Sequence, residues 1–113
     1  MEIKAADVVL CEFYFSDLKT SKNRPVLVFK DNLPHDDFIG IPISSQIIQF
    51  HADEILIEST DFCEGKLPKS SKLMLRKPFI VSKKAVLKKY GTLHSSAFNR
   101  YQQLFCHYFQ CCE

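Results

Sequence analysis

An arginine and a serine at the ends of two predicted strands are the residues of this sequence best suited to bind a phosphate. Arg24 lies between the polar loop at 16–23 and an apolar run, and Ser44, Ser45 and Gln46 follow a later apolar run. A guanidinium group is a planar fork of donors that matches two phosphate oxygens and stays protonated. A serine hydroxyl can hydrogen-bond the same phosphate or the attacking nucleophile. On one rim of a barrel, such donors would each stabilise a phosphorane-like transition state by about 3–4 kcal/mol.

The same two residues also allow a purely structural explanation. Arg24 could form an ion pair with a nearby acid and Ser44 could cap a turn, as is common at strand ends. Other catalytic devices are absent from the sequence: it has no P-loop, no HExxH, no GxSxG and, with three glycines, no dinucleotide-binding pattern. Its four histidines are scattered: His35, His51, His94 and His107. Residue type and position alone therefore favour the structural role of Arg24 and Ser44.

Charges are strongly segregated along a chain whose formal net charge is only +2. Residues 31–64 contain eight acids and no lysine or arginine, whereas residues 66–89 contain nine bases and no acid. Two neighbouring segments of this kind can neutralise each other on a solvated surface. Alternatively, the basic segment forms a face for a polyanion such as RNA, or for an acidic partner. The charges alone favour neither interpretation.

The five cysteines predict reduced thiols and not a disulfide framework. Their number is odd, and three of them lie within the last eight residues: Cys106, Cys111 and Cys112. The spacing in CHYFQCC lacks the paired C-x₂₋₄-C pattern of structural zinc sites, so we expect no metal. No signal peptide is evident at the start, and no apolar run reaches the ~20 residues that span a bilayer. These features predict a cytoplasmic protein without membrane contact.

Short apolar runs predict strands along most of the chain, and helical spacing is found only after them. With 113 residues, the chain is expected to form one domain, residues 1–113. Strands followed by helices predict an α+β fold built on a small antiparallel barrel. Ser82 is predicted to cap a short helix that Gly91 ends, and Ser95 to cap the final helix. The predicted strands are residues 7–15, 25–30, 38–44, 53–58 and 72–81, the last broken near Pro78, and the short helix covers residues 83–90.

Three stretches of the sequence resemble the PemK/MazF toxins of bacterial toxin–antitoxin systems. DVVLCEFYFSDLKTSKNRPVLVF (7–29) is similar to the family's opening, which typically reads G-D-[IV]-V-x-[LV]-x-F-P-F-[ST]-D and continues to [KR]-x-R-P-[AV]-L-V. IGIPISSQI (39–47) resembles the family's stretch I-x-A-x-I-T-S-Q-I, and residues 66–98 resemble its tail. The resemblance covers residues 6 to about 98, which is most of the chain.

This resemblance implies an SH3-like antiparallel β-barrel of the CcdB/PemK type, with a short helix and a C-terminal helix, that forms a homodimer. The implied activity is that of an endoribonuclease that needs no metal or other cofactor and cleaves single-stranded RNA, such as mRNA, at selected sequences. In such enzymes the RNA 2′-hydroxyl attacks the adjacent phosphate and leaves a 2′,3′-cyclic phosphate. The implied protein partner is an acidic cognate antitoxin that covers the RNA-binding groove.

The resemblance also assigns roles to individual residues. Arg24 matches the arginine of the family's R-P pair and would hold the scissile phosphate as a catalytic residue. Ser44 matches a catalytic residue that is usually threonine, and its hydroxyl would contact the same phosphate or the 2′-hydroxyl. The other residues expected to contact RNA are Ser16, Asp17, Lys19, Lys22, Asn23, Ser45, Gln46 and Arg76.

One departure from the family pattern affects the proton-transfer step. Some members carry Arg-x-Asp on a later strand, with the aspartate as general base, whereas residues 74–76 of this chain read Met-Leu-Arg. A general base must titrate near the working pH. The remaining candidates for that role are Asp17, Glu12 and His35. An alternative function is therefore a catalytically silent barrel that binds nucleic acid, or a protein target such as DNA gyrase, through its basic segment.

Overall fold

The computed structural model describes residues 2–14 and 19–111. Within these residues, eight strands form a curled antiparallel sheet, and one α-helix follows them. Three short 3₁₀ turns lie at Pro34–Asp36, Ser59–Asp61 and Lys83–Ala85. The strands are β1 (Asp7–Tyr14), β2 (Ser21–Leu33), β3 (Asp37–Ser44), β4 (Glu54–Ile57), β5 (Phe62–Gly65), β6 (Ser71–Met74), β7 (Phe79–Ser82) and β8 (Val86–Leu93), and the helix is α1 (Ser95–Phe109).

The sheet curls because β3 pairs with two different strands along the edge that faces away from β2. These strands are β7 and β6. Neighbouring strands follow the order β4-β6-β3-β2-β1-β8-β5, and β7 pairs with β3 outside this path. The first half of β3 pairs with β7, from Asp37 to Gly40, whereas Ile43 and Ser44 pair with β6. Register shifts between β1 and β8 add bends of the kind that β-bulges cause. The result is a half-barrel whose two faces both cover apolar side chains.

Alternation along β1 and β2 explains why the sheet carries a buried cluster on each face. Val8 and its partner Leu27 belong to the cluster that α1 covers, together with the fully buried Tyr101. Their neighbours Val9 and Val26 belong to the cluster on the other face. Successive side chains of a strand point to opposite faces, so an uninterrupted apolar run fits a strand that is buried on both sides. The prediction of such a strand from residue 25 onward is confirmed, and β2 is longer than predicted.

Helix α1 buries one face on the first cluster and ends in a disulfide-linked turn. Its buried side chains include Phe98 and Tyr101, whose spacing places them on one side of a helix. The residue at the N-cap is His94, without a side-chain capping bond, so the predicted capping role of Ser95 is wrong. A disulfide joins Cys106 to Cys111 across the C-terminal end. The expectation of reduced thiols is therefore wrong for this pair, because the last helical turn brings the two cysteines together.

The prediction of a short helix at residues 83–90 is also wrong. Ser82 does accept a hydrogen bond from the Lys84 N–H, but the turn it caps is only the 3₁₀ segment ending at Ala85. The chain then continues as β8, which pairs with both β1 and β5. At Gly91 the strands approach so closely that an added Cβ would collide with the Glu64 carbonyl oxygen. Strand pairing on both edges thus overrides a local sequence that can also form a helix.

The other predicted strands agree with the fold, but residues 21–23 of the predicted loop at 16–23 belong to β2. The predicted break near Pro78 separates β6 from β7, and the predicted strand at 53–58 is β4. Strand β5 is not among the strands predicted from the sequence. An α+β fold with a curled antiparallel sheet and a C-terminal helix is confirmed. In the described part of the chain, no helix has the length and apolar character to cross a membrane.

Candidate functional site

Arg24 and Ser44, the two predicted catalytic residues, line one cleft of about 430 Å³. The cleft opens where β2 and β3 separate. Their last residue pair on this side is Val26 with Pro42, and beyond it Ile43 and Ser44 pair with β6 instead. The lining residues are Leu10, Lys22, Asn23, Arg24, Pro25, Ile43, Ser44, Ser45, Gln46, Leu67, Pro68, Lys69, Ser71, Met74 and Tyr90.

The Ser44 hydroxyl is oriented by the turn that follows β3. Its Oγ accepts a hydrogen bond from the backbone N–H of Gln46 at 3.1 Å. This local bond is typical of serine at turns and fixes the position of the oxygen. Because the oxygen is the acceptor, the hydroxyl hydrogen stays available to donate to a ligand. The turn-capping role that the sequence allowed is therefore present, and it is compatible with binding an anion.

Arg24 projects from β2 opposite Cys11 of β1 and is exposed. Among residues 2–14 and 19–111, its side chain has no hydrogen bond or ion pair. The described lining of the cleft contains no aspartate, glutamate or histidine. Lys22 and Lys69 add two further cations. The cleft thus concentrates positive charge without a counter-ion in its described lining, which favours an anionic ligand.

The other predicted contact residues divide into those at the cleft and those away from it. Lys22, Asn23, Ser45 and Gln46 line the cleft beside the catalytic pair. The lining does not include Lys19 or Arg76. The Arg76 Nε atom lies 3.1 Å from the Oδ2 atom of the buried Asp53, so this arginine already has a counter-ion. Ser16 and Asp17 lie outside the described residues.

None of the described candidates for the general base lies in the cleft. Glu12 accepts a hydrogen bond from the Ser21 hydroxyl at 3.0 Å and is not part of the lining. His35 lies in the 3₁₀ turn that joins β2 to β3, which is at the other end of both strands from Arg24. Asp17 lies outside the described residues. Burial raises the pKa of the Cys11 thiol to about 11, so this neighbour of Arg24 is no thiolate at neutral pH.

The sequence analysis did not predict several residues that line the cleft. Two of these carry a functional group that could act on a ligand: the phenol of Tyr90 and the ammonium of Lys69. Tyr90 projects from β8, and the ammonium of Lys88 lies 5.0 Å from the centre of its ring. The prediction of a helix over this segment hid the proximity of Tyr90 to β1 and β2. Lys69 belongs to the basic segment, so charge segregation was the signal that could have indicated it.

The first interpretation of the basic segment, neutralisation by the acidic segment, is confirmed for three of its cations. Lys72, Arg76 and Lys83 form ion pairs with Glu54, Asp53 and Asp36, all of them acids of the segment 31–64. The Lys72–Glu54 pair is short, at 2.7 Å, and both side chains are nearly buried. Lys69 instead faces the cleft. Neutralisation between neighbouring segments therefore accounts for part of the charge, and the cleft retains another part.

A second polar cluster lies under α1, and its groups are paired with one another. The buried Tyr101 hydroxyl donates to Asp61 Oδ2 at 2.6 Å, and Arg100 donates to Asp61 Oδ1 at 3.1 Å. Burial alone would raise the pKa of Asp61. The hydrogen bonds from Tyr101, from the Glu58 N–H and from Arg100 outweigh it and hold that pKa below its usual range. Within the described residues, no group of three or more histidine, cysteine and acidic side chains is placed to hold a metal ion.

Comparison with solved structures supports the fold. The chain is similar to a MazE–MazF complex from Deinococcus radiodurans, with a TM-score of 0.77 and 11% identity over 97% of this chain and 98% of that chain. It is similar to a mycobacterial endoribonuclease in complex with its cognate antitoxin (TM-score 0.74, 10% identity, 99% of each chain). It is also similar to the Mycobacterium tuberculosis toxin MazF-mt6 (TM-score 0.66, 16% identity, 93% of this chain and 99% of that chain).

A family profile extends this likeness from the fold to the sequence. Comparison with curated proteins gives no match. The profile of the family described as "PemK-like, MazF-like toxin of type II toxin-antitoxin system" matches residues 4–109 and so includes every residue of the cleft. This chain belongs to the PemK-like, MazF-like family of toxins of type II toxin–antitoxin systems.

Proposed function

We propose that this protein is a toxin that cleaves single-stranded RNA, such as mRNA in the cytoplasm, as a metal-independent and sequence-selective endoribonuclease. The observation that carries the proposal is that Arg24 and Ser44 line the same cleft. Arg24 has no counter-ion among the described residues, and the Gln46 N–H orients the Ser44 hydroxyl. The described lining contains no acidic side chain. An anion with several oxygens satisfies both donors, and the phosphate of an RNA backbone is such an anion.

The proposed reaction is attack of the RNA 2′-hydroxyl on the adjacent phosphate, which releases the 5′-oxygen and leaves a 2′,3′-cyclic phosphate. Negative charge builds on the non-bridging oxygens as the new bond forms. Arg24 would donate two hydrogen bonds to these oxygens through its planar fork. Ser44 would donate its free hydroxyl hydrogen to the same phosphate or position the 2′-hydroxyl. Lys22, Asn23, Ser45 and Gln46 would bind the neighbouring nucleotides.

The same cleft would be the target of regulation. An acidic cognate antitoxin would cover it, since carboxylates of the antitoxin would occupy the positions of the RNA phosphates. The protein would act as a homodimer. A solved neighbour in complex with its cognate antitoxin supports the first statement, and the homodimer rests on the resemblance described in the sequence analysis.

Digestion of a long single-stranded RNA in EDTA tests the proposal. We expect discrete cuts whose upstream fragments end in a cyclic phosphate. Arg24→Ala should lower the rate by about 10²–10³-fold, because one preorganised donor to developing negative charge is worth roughly 3–4 kcal/mol. The matched control is Lys84→Ala, which removes an exposed cation outside the cleft lining and should cut like the wild type. Equal cleavage by Arg24→Ala would contradict the assigned role of Arg24.

A silent barrel is the second candidate function, and one observation favours it. The described lining of the cleft offers neither a carboxylate nor an imidazole as general base. A protein of this kind would bind RNA, or a protein target such as DNA gyrase, without cutting it. In the same assay it would give no cleavage products, although RNA binding would persist and weaken steeply with salt.

A further inference from the structure

The cleft of this chain contains a group that the proposed mechanism has not used, the phenol of Tyr90. Cleavage of the RNA backbone needs a proton for the departing 5′-oxygen as well as a base for the 2′-hydroxyl. The described lining lacks acids and histidines, and the Arg24 guanidinium stays protonated, so the remaining proton donors besides the serine hydroxyls are Tyr90, Lys22 and Lys69. Both lysines are exposed, whereas Tyr90 is half-buried. Of these three, Tyr90 is the group that the fold holds in place.

Tyr90 is aimed into the cleft by a bulge in β8. Val8 of β1 pairs with Gly91, but the next residue, Val9, pairs with Lys89, so Tyr90 is the extra residue of its strand. Bulges of this kind re-aim a side chain and are frequent next to active sites. The ring of Tyr90 packs against the core cluster under α1, and the Lys88 ammonium lies 5.0 Å from its centre. The ring is therefore fixed from two sides.

The Tyr90 hydroxyl is free to act on a ligand. Within the described residues it has no hydrogen-bond partner, and no side-chain nitrogen or oxygen there is both buried and unpartnered. Together these two facts mean that the hydroxyl oxygen is not buried, and Tyr90 is one of the residues that line the cleft. The fully buried Tyr101 differs, because its hydroxyl is bound to Asp61. Tyr90 is thus unlike a core tyrosine, whose hydroxyl the protein itself satisfies.

The sheet order places Tyr90 opposite the phosphate-binding pair. Arg24 and Ser44 come from the neighbouring strands β2 and β3, whereas β8 lies on the far side of β1. An in-line displacement needs the attacking and leaving oxygens on opposite sides of the phosphorus. Tyr90 lines the same cleft as this pair, so a phosphate held there with one reacting oxygen toward β8 would bring that oxygen to the side of Tyr90.

We propose that Tyr90 is the general acid that protonates the leaving 5′-oxygen, an inference that rests on the proposed ribonuclease function. In this step the 2′-oxygen forms a bond to phosphorus while the bond from phosphorus to the 5′-oxygen breaks. The Tyr90 O–H proton passes to the 5′-oxygen, and the 2′-hydroxyl proton passes to water. Water then returns a proton to the Tyr90 phenolate, so the protein is regenerated and the RNA ends as a cyclic phosphate and a 5′-hydroxyl.

The test compares two substrates with one protein variant. An RNA dodecamer centred on the mapped cut is made in its normal form and with the 5′-bridging oxygen of the scissile bond replaced by sulfur. A thiolate leaves without protonation, so the second substrate does not need a general acid. Tyr90→Phe removes only a hydroxyl that has no partner among the described residues, and its thermal unfolding should match that of the wild type. Lys69→Ala is the matched control for loss of a cleft contact without loss of the phenol.

We expect Tyr90→Phe to cut the normal RNA about 10²-fold more slowly than the wild type and to cut the sulfur-containing RNA at the wild-type rate. Lys69→Ala should slow both substrates equally. Equal slowing of both substrates by Tyr90→Phe, or no slowing of either, would overturn the assignment while leaving the ribonuclease function intact. A wild-type protein that cuts no RNA at all would instead overturn the proposed function, and with it this role of Tyr90.

Discussion

Two arginines of this chain have opposite surroundings. Arg100 donates to Asp61 and to Tyr101, within a cluster in which the Tyr101 hydroxyl also donates to Asp61. Arg24 has no partner within the described residues and shares its cleft with other cations. The cluster around Asp61 is closed at its centre, because the Asp61 carboxylate and the Tyr101 hydroxyl are satisfied within the protein. The cleft around Arg24 is open, because its donors face solvent and have no acceptor among the described residues.

This difference predicts that the stability of the protein and the proposed RNA cleavage depend on separate regions. A closed cluster lowers the free energy of the folded state, and its buried groups are not available to a ligand. An open cluster adds little to stability and keeps its full binding capacity for a ligand. Substitutions in the two regions should therefore change different measured quantities. Lys72 lies between the two cases: it is paired with Glu54 and stands directly across from Ser44 in the sheet.

Lys72→Met should have the largest effect on the stability of the protein. Its ammonium is bound to Glu54 at 2.7 Å and to the Gln49 carbonyl at 2.6 Å, and both ion-paired side chains are only 7% exposed. Removal of one partner leaves a nearly buried carboxylate unpaired. We expect a loss of about 3 kcal/mol in the free energy of unfolding, measured with urea. RNA cleavage should fall as well, because the segment after Ser44 loses its contact at Gln49.

The double variant Lys72→Met/Glu54→Leu separates the two consequences of this change. Replacing both members of a buried pair by apolar residues is often neutral for stability. We therefore expect the double variant to unfold close to the wild type while its RNA cleavage stays low. Full recovery of both quantities would show that the contact with Gln49 has no part in holding the cleft, and unchanged stability of the single variant would contradict the pairing itself.

Asp61→Asn should weaken the closed cluster without changing the cleft. The substitution keeps the shape and removes the charge that accepts bonds from Tyr101 and Arg100. We expect a loss of about 2 kcal/mol in the free energy of unfolding at neutral pH, the value of a hydrogen bond to a charged group. RNA cleavage by the folded variant should equal that of the wild type. A clear loss of cleavage would show that the two regions are not independent.

The difference in the free energy of unfolding between the wild type and Asp61→Asn should change with pH in one direction. The pKa of Asp61 is lower in the folded protein than its ordinary value, so its stabilisation is complete above the unfolded-state pKa of about 4. The stabilisation is lost as the pH falls through the folded-state pKa, because the carboxylate becomes protonated in both states. The gap between wild type and Asp61→Asn should therefore be constant from about pH 8 to 5 and shrink below about pH 4. A gap that widens in acid would contradict this assignment.

Local sequence patterns predict strands β1, β2 and β3, which contribute residues to the cleft around Arg24. The apolar runs of β1, β2 and β3 are recognisable without any knowledge of their partners. Arg24 and Ser44 stand at the ends of two such runs, and the resemblance to a toxin family assigned them roles. The structure places both in one cleft. The strands are confirmed because they depend on side-chain alternation within a few residues, whereas the catalytic roles of Arg24 and Ser44 stay predictions.

Contacts between distant parts of the chain explain why the sequence did not predict strand β8, the place of Tyr90 or the ion pair of Arg76. Residues 83–90 can form a helix locally, but β8 pairs with β1 and with β5, and Gly91 meets the backbone of β5. Tyr90 was missed for this reason. The ion pair between Arg76 and Asp53 likewise joins two separate loops, and no local pattern reports whether an arginine already has a partner.

Lys69→Ala should have the smallest effect of these substitutions, a change in the salt dependence of RNA binding. It tests most directly whether the cations of the cleft are available to a phosphate. Lys69 lines the cleft, whereas Lys77 is an exposed lysine outside the lining and provides the matched control. The probe is an RNA oligonucleotide with a 2′-deoxy nucleotide at the cut, which binds and cannot be cleaved. Each phosphate contact on a single strand contributes about 0.7 to the slope of log K against log salt concentration. Lys69→Ala should lower the slope by about that amount and Lys77→Ala should leave it unchanged. If both lysines changed the slope equally, RNA would be attracted by the charge of the whole basic segment, and the distinction between paired and open cations would not describe how this protein binds.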